Sequence, residues 1–209
     1  VPKAYFKIAL PVVIGMVVSL IYNLADTWFI ARTGDTALVA GVSLCAPVFT
    51  LMVAFSDIFG LGGSNLISRM LGRGSREEAS NVSAFCIYGA VGFGAVTGAV
   101  MIFLQDPILR LLGASAETMS YASSYYFWLA VGAPAIILNI VPGNLLRTEG
   151  LSENAMVCTI AGAVINIVLD PIFIFTFGMG AAGAALATVL SNVISDVFFL
   201  ITMKRKSEV

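Results

Sequence analysis

Four aspartates interrupt long apolar stretches of the sequence: Asp26, Asp57, Asp170 and Asp196. A carboxylate at the centre of a membrane costs about 2.5 to 3.5 kcal/mol on insertion scales, so each is expected to have a partner or a function. Counted at about 1.5 Å per residue along their stretches, Asp26 and Asp170 lie within about 5 Å of one depth. Thr188, in the last stretch, reaches a similar level. The sequence therefore predicts oxygen ligands from three helices at one depth.

Two asparagines share the helix faces of these two acids. Asn23 precedes Asp26 by three residues and Asn166 precedes Asp170 by four, and residues at these spacings lie on one face of a helix. The amides can donate to the carboxylates or help to ligate a cation. Because two negative charges repel strongly in a low-dielectric interior, a converging pair is expected to take up a proton or Na+. The alternative is structural: each acid only accepts hydrogen bonds from neighbouring hydroxyls.

Asp57 and Asp196 lie towards the inner ends of their stretches, and a different role is expected for them. Asp196 can approach Lys204 or Arg205, and Asp57 can approach the basic residues that follow its own stretch. Charges near helix ends reach the membrane interface at low cost. We therefore predict interfacial ion pairs or gate contacts for these two acids.

The elements that position these residues are six apolar stretches. Of the 209 residues 59% are hydrophobic and 11% charged, whereas soluble domains carry about 25% charged residues. A helix of roughly 20 residues crosses a hydrocarbon core of about 30 Å. We predict an all-α polytopic membrane protein, a single lobe of six transmembrane helices. The spans are residues 8–30, 36–59, 79–104, 123–146, 155–177 and 181–203, the second with an open end that can extend to residue 71.

The basic residues are divided unequally between the two sides that six spans define. Two, Arg32 and Arg110, fall on one side, and nine fall on the side of both termini. Because cytoplasmic loops carry an excess of Lys and Arg, both termini are expected in the cytoplasm. The expected location is the plasma membrane of a bacterium or archaeon. The nine residues are Lys3, Lys7, Arg69, Arg73, Arg76, Arg147, Lys204, Arg205 and Lys206.

Prolines and glycines indicate where these helices bend or pack closely. Pro11 lies near the start of the first span and Pro171 lies within the fifth, and a proline removes an intrahelical hydrogen bond and permits a bend. Gly94 and Gly98 have the GxxxG spacing that favours close helix contact. Residues 178–183 spell GxGxxG but lack the strand and the acid of a dinucleotide site, so a tight turn and close packing are predicted.

The sequence lacks the residues that several chemistries require. Without histidine, neither a Ser-His-Asp nor a Cys-His arrangement can form, and there is no Walker loop. The three cysteines are isolated in apolar stretches, which predicts neither a disulfide framework nor a metal cluster. A net charge of -1 gives no field that recruits nucleic acid. We predict that the chain is not an enzyme, needs no cofactor and binds no nucleic acid.

Four segments of the chain resemble one family of membrane transporters. Through these segments, the chain over its whole length resembles the amino-terminal six-helix lobe of the multidrug and toxic compound extrusion (MATE) family. The segments are ALPVVIGMVVSLIYNLADTWFIARTG (9–34), GLGGSNLISRMLGRGSREEA (60–79), LLRTEG (145–150) and NIVLDPIFIFTFGMGAAGAALATVLSN (166–192).

The resemblance implies which residues hold a coupling ion. It implies further that Tyr126 and Asn144 join the same polar network, and that Pro11 is where the first helix bends. The implied cation or proton site is the set that depth and helix face also select: Asp26, Asn166, Asp170 and Thr188.

The function that the resemblance implies is antiport, in which Na+ or H+ enters and organic, often cationic, drugs leave the cytoplasm. The family's substrate cleft lies between two lobes, so the expected partner is a second six-helix lobe, in the same longer protein or as a second copy. Two alternatives stay open. A flippase for lipid-linked precursors would line its cleft with several basic residues, whereas Lys and Arg occur here only towards the ends of the spans. The other alternative is a half-size membrane module that transports nothing.

Overall fold

The computed structural model describes the backbone of residues 2–207 and the side chains of residues 9–207. The side chains of Lys3 and Lys7, which contribute to the predicted charge partition, lie outside the described residues, as do residues 208 and 209 of the predicted tail. Every regular element within the described range is helical. The all-α fold that the sequence predicts is confirmed.

Nine α-helices follow one another along the described chain, and the eighth continues into a single π-helical turn at Ile172–Thr176. They are α1 (Pro2–Arg32), α2 (Thr36–Leu44), α3 (Ala46–Gly72), α4 (Arg76–Phe103), α5 (Gln105–Leu111), α6 (Met119–Val131), α7 (Ala133–Thr148), α8 (Ser152–Pro171) and α9 (Gly180–Lys206).

Within the described residues, five spans are long and apolar enough to cross a membrane without a sharp bend. Helices α6 and α7 make a sixth when they are counted together, with a bend of 55° between them. The five are residues 9–32, 36–72, 76–103, 152–176 and 180–206.

The second span continues beyond residue 59 because its glycines serve helix packing. Gly60 and Gly63 are both buried on α3. A Cβ at Gly60 would lie 2.7 Å from the amide nitrogen of Asn144, and one at Gly63 would lie 2.5 Å from the sulfur of Cys86. The absence of a side chain therefore lets α3 approach α7 and α4 closely, and the glycine-rich segment stays helical.

The bend in the fourth span lies at Gly132, where α6 ends. Pro134 stands in the first turn of α7, where its missing N–H leaves no intrahelical hydrogen bond unmade. A Cβ at Gly132 would come within 2.2 Å of a Val189 methyl group, so α9 packs directly against the bend. The direction in which α6 presents its side chains therefore depends on this junction.

The GxGxxG stretch forms the turn between α8 and α9. Gly178 and Gly180 have φ angles of 64° and 53°, a left-handed backbone that favours glycine. A Cβ at Gly183 would lie 2.7 Å from the carbonyl oxygen of Phe173, so α9 begins in close contact with the π-helical turn. The predicted tight turn and close packing are confirmed.

Helix α1 is the least covered of the spans, since 11% of its most apolar window is buried. It packs mainly against α8. Its remaining surface carries exposed apolar side chains, among them Leu20 and Leu24 at 64% and 70% exposure. This side of α1 therefore suits contact with lipid or with another apolar partner.

Gly98 and Gly92 on α4 provide a matched test of the predicted close contact. A Cβ at Gly98 would lie 2.3 Å from the carbonyl oxygen of Ala130, whereas one at Gly92 meets nothing within 4 Å. We expect Gly98→Ala to lower the free energy of unfolding by about 1 to 3 kcal/mol, because backbone atoms cannot yield to the added methyl group. Gly92→Ala should leave it within about 0.5 kcal/mol. Thermal unfolding in detergent measures both, and equal melting temperatures would contradict the packing role.

Candidate functional site

Asp26 and Asp170 lie close together inside the helix bundle. Asp26 is on α1, and Asp170 is the last residue but one of α8, the helix against which α1 packs. Asp170 is fully buried, and Oδ1 of Asp26 is buried as well. The two acids that depth and helix face select therefore lie on adjoining helices.

Asp26 lines a cavity of about 290 Å3 between α1, α2, α3, α6 and α9, which we call the acid cavity. Tyr22, one turn before Asp26 on α1, and Tyr125 of α6 also line this cavity. Both tyrosine rings lie close enough to interact electrostatically with both aspartates. Asp170 is not among the residues that line this cavity, and no basic residue lines it among the described side chains.

The polar atoms of this site have an unusual lack of hydrogen-bond partners. Within the described residues, both carboxylate oxygens of Asp170, both amide atoms of Asn166 and Oδ1 of Asp26 are buried without one. Leaving a buried polar group unpaired costs about 1 to 3 kcal/mol, and more for a charged group. A proton or a monovalent cation among these oxygens would satisfy them, which fits the chemistry of the donor set.

Helix α8 positions Asn166 and Asp170 on its buried face. The two residues are four apart and both are at most 2% exposed. The α-helix ends at Pro171, after which the chain forms the π-helical turn. Because proline has no N–H, the carbonyl of Ile167, one turn earlier, is left without its regular helical donor. Pro171 thus fixes the point where α8 changes its winding, directly after Asp170. Pro11, in contrast, lies inside the continuous helix α1.

Thr188 lies between the acid cavity and a second cavity. The second cavity, of about 220 Å3, lies between α1, α7, α8 and α9, and we call it the polar cavity. Tyr22 and Thr188 line both cavities, and Asn166 lines the polar one. The hydroxyl of Thr188 donates to the carbonyl oxygen of Ala184 at 3.0 Å, so its oxygen can still accept or ligate.

Asn23 lines the acid cavity, but its amide is used differently from the sequence-based expectation. Its Nδ2 donates to the backbone oxygen of Ser19 at 2.8 Å. The Asn23 amide therefore does not donate to Asp26, although its side chain remains in the same cavity.

The structure does not bring Tyr126 and Asn144 into the acid cavity. Tyr126 is fully buried near Cys45 and lines neither cavity, while its neighbour Tyr125 faces the acids. Consecutive helix residues are rotated by about 100°, so the two rings cannot share one direction. Asn144 accepts from Nη1 of Arg147 at 3.1 Å instead.

Sequence reasoning missed Tyr22 and Tyr125 as members of the site. The signal for Tyr22 was available, because it precedes Asp26 by four residues and so shares its helix face. Nothing in the sequence distinguishes Tyr125 from Tyr126, because the rotation of α6 is set by the bend at Gly132 and by packing against α9.

Asp196 forms a polar contact inside the bundle and not an interfacial ion pair. Asn139 of α7 donates from Nδ2 to Oδ1 of Asp196 at 2.9 Å. The predicted approach of Asp196 to Lys204 or Arg205 is wrong, since a buried partner on the neighbouring helix is available. Asp57 is half-buried on α3 and lines neither cavity.

A model of the protein family named MatE matches residues 11–172. The chain belongs to the MatE family. This MatE chain is 35% identical over 207 residues to a multidrug export protein MepA of Staphylococcus saprophyticus, covering 99% of the chain and 46% of that relative. It therefore spans about half the length of the curated relatives that it matches.

Solved structures match this MatE chain equally well. One is an outward-facing multidrug resistance MATE family transporter of the MOP superfamily, with a TM-score of 0.93 and 36% identity, covering 99% of the chain and 46% of that structure. Another, at the same score, identity and coverage, is a MOP superfamily transporter from Pyrococcus furiosus, described by a binding pocket of reverse polarity that suggests a different function. The predicted MATE membership is confirmed.

Asp35 connects the turn after α1 of this MatE chain to α6. Its Oδ2 accepts from the Tyr121 hydroxyl at 2.6 Å, and its Oδ1 accepts from the backbone N–H groups of Ala37 and Leu38 at the start of α2. The Tyr121 hydrogen bond first, and then these amides, hold the pKa of Asp35 below its ordinary value. Because Tyr121 is one turn before Tyr125 on α6, this contact steadies one wall of the acid cavity.

The Asp35 contact predicts a pH-dependent stability. A carboxyl with a lowered folded-state pKa stabilises above its unfolded pKa, and the stabilisation is lost as the pH falls through the folded value. We expect Asp35→Asn to lower the melting temperature of detergent-solubilised protein at pH 7, with a difference from wild type that shrinks at about pH 3. Tyr121→Phe should show the same trend with a smaller effect. A difference from wild type that is independent of pH would contradict the assignment.

Proposed function

We propose that this chain is the cation-binding lobe of a transporter that exchanges Na+ or H+ for organic, often cationic, drugs. The observation that carries the proposal is the pair Asp26 and Asp170, in which one oxygen of Asp26 and both oxygens of Asp170 are buried without hydrogen-bond partners in the described part of the chain. Ionisable groups within membrane spans are functional by default, because insertion selects against them otherwise. The names of the relatives, multidrug export proteins and a multidrug resistance transporter, support the transported class.

In the proposed cycle, the ion enters the acid cavity and binds between the two carboxylates. Asn166 supplies its amide oxygen and Thr188 its hydroxyl oxygen, which are hard ligands of the kind that alkali cations take; with H+ as the coupling ion, one carboxyl carries the proton. Binding removes the repulsion between the acids and lets α1 move towards α8. Pro11 gives α1 a point at which it can bend. Drug binding between the lobes then weakens, and the drug leaves outward.

The membrane potential supplies driving force in this scheme. An inward-moving charge gains about 2.3 kcal/mol per 100 mV when the inside is negative. The proposed orientation places both termini in the cytoplasm. Its support is the clustering of basic residues in the last turns of α3, α7 and α9, which end on one side of the bundle: Arg69, Arg147, Lys204, Arg205 and Lys206.

The proposed partner is a second six-helix lobe, either in the same longer protein or as a second copy. The support is the chain's coverage of 46% of its relatives and the apolar, uncovered face of α1. The drug would bind between the two lobes. Such sites use adaptable apolar and sulfur-containing side chains to accept many compounds.

Substitution of the two acids tests the proposed function. We expect Asp26→Asn and Asp170→Asn each to abolish gradient-driven drug export while the protein stays folded. The reason is that each variant keeps only one carboxylate of the pair. The measurement is drug efflux from proteoliposomes that contain the intact transporter, driven in turn by a Na+ gradient and by a pH gradient. The gradient that drives efflux identifies the coupling ion.

Asp57→Asn is the matched control, because Asp57 is also an acid within a span but is only half-buried, and neither of its oxygens is among the buried polar atoms that lack a partner in the described residues. It should retain most of the wild-type export. Unchanged efflux in both acid-pair variants, or equal loss in all three, would refute the assignment of the site.

A further inference from the structure

Arg147 is the only basic residue that lines either cavity among the described side chains. It lies in the last turn of α7. Its Nη1 donates to Oδ1 of Asn144 at 3.1 Å, and its Nε is buried without a hydrogen-bond partner. The buried acid Asp196 on α9 accepts from Asn139 and not from Arg147. Within the described residues, the charge of Arg147 therefore faces the polar cavity without a carboxylate to neutralise it.

The polar cavity extends from residues next to the acid pair to Arg147. Its one end is formed by Tyr22, Thr188 and Asn166, the residues that adjoin the acids. On α8 it continues from Asn166 to Thr159, a length of roughly 10 Å at 1.5 Å per residue. The hydroxyl of Ser195 and the amide of Asn139 also line it.

A cavity with this lining can hold water and a hydrated ion. Hydroxyl and amide oxygen atoms on its walls can replace lost hydration, and a cation that has reached Asn166 has such groups ahead of it in the direction of Arg147. If nothing opposed that step, the ion would cross the lobe without moving any drug. A coupled exchanger therefore requires an obstacle on this side of the acid pair.

We propose that Arg147 is a charge barrier that stops the coupling cation from passing through the polar cavity. The inference rests on the proposed function and adds to it the element that prevents leakage. A fixed positive charge in a confined, poorly screened space repels an approaching cation, as arginines and helix dipoles do in selective pores. Release of the ion beyond Arg147 then requires a change in the packing of α7 to α9, which links ion release to the transport cycle.

Removal of the charge provides the first test. The intact transporter, in liposomes loaded with a pH-sensitive or Na+-sensitive dye, is given a cation gradient with no drug present. We expect Arg147→Gln to raise the rate of cation entry about tenfold, because a unit charge changes the energy of a cation roughly 10 Å away by about that factor at an intermediate effective dielectric constant. Arg147→Lys, which keeps the charge, should remain as tight as wild type. Adding Asp170→Asn to Arg147→Gln should abolish the leak.

The second test keeps Arg147 and neutralises its charge with a carboxylate added nearby. It does not depend on whether the Arg147→Gln protein folds. Thr159→Glu puts a carboxylate on the wall that faces the same cavity, and it should leak as Arg147→Gln does, while Thr159→Gln stays tight. If Arg147→Gln and Thr159→Glu proteins both stay as tight as wild type, the barrier is refuted. A wild-type protein without cation-driven drug efflux instead contradicts the proposed function.

Discussion

Two unpaired carboxylates in a helix bundle of apolar exterior are the constraint on which the rest of this structure depends. In water each would be solvated, but Asp170 is fully buried and Asp26 has one buried oxygen without a partner. The bundle can keep both only if something positive or protic sits between them. In the proposed function, the bound ion would contribute to the stability of the lobe, and its release would change how α1 and α8 pack together.

The remainder of the fold can be understood as the means of holding this pair in place. Glycines at helix crossings allow close packing: Gly98 brings α4 against Ala130 of α6, and Gly132 brings Val189 of α9 against the junction of α6 and α7. Pro171 ends the regular winding of α8 directly after its acid. In contrast α1, which carries the other acid, is covered mainly by α8. The mobile partner of the pair is therefore expected to be α1.

Much of the site could be predicted from the sequence, because depth and helix face follow from a constant rise and a constant turn per residue. Those two numbers select Asp26, Asn166, Asp170 and Thr188 without any tertiary information. The constant rise and turn do not predict how a helix is rotated about its axis when packing against other helices sets that rotation. The resemblance selects Tyr126, but the bend between α6 and α7 points Tyr125 at the acids, and Asn144 turns towards Arg147. Asp196 likewise finds Asn139 on a neighbouring helix, which no spacing within α9 could reveal.

Ion binding to the purified protein tests the central claim most directly. Calorimetric titration with Na+, and proton release followed with an indicator dye, measure how many ions bind per chain and which residues they need. The account predicts one high-affinity ion per chain in the wild type and loss of that ion when either Asp26 or Asp170 is replaced by asparagine. A wild-type affinity that survives either replacement would show that the two acids do not share an ion, and would contradict the account.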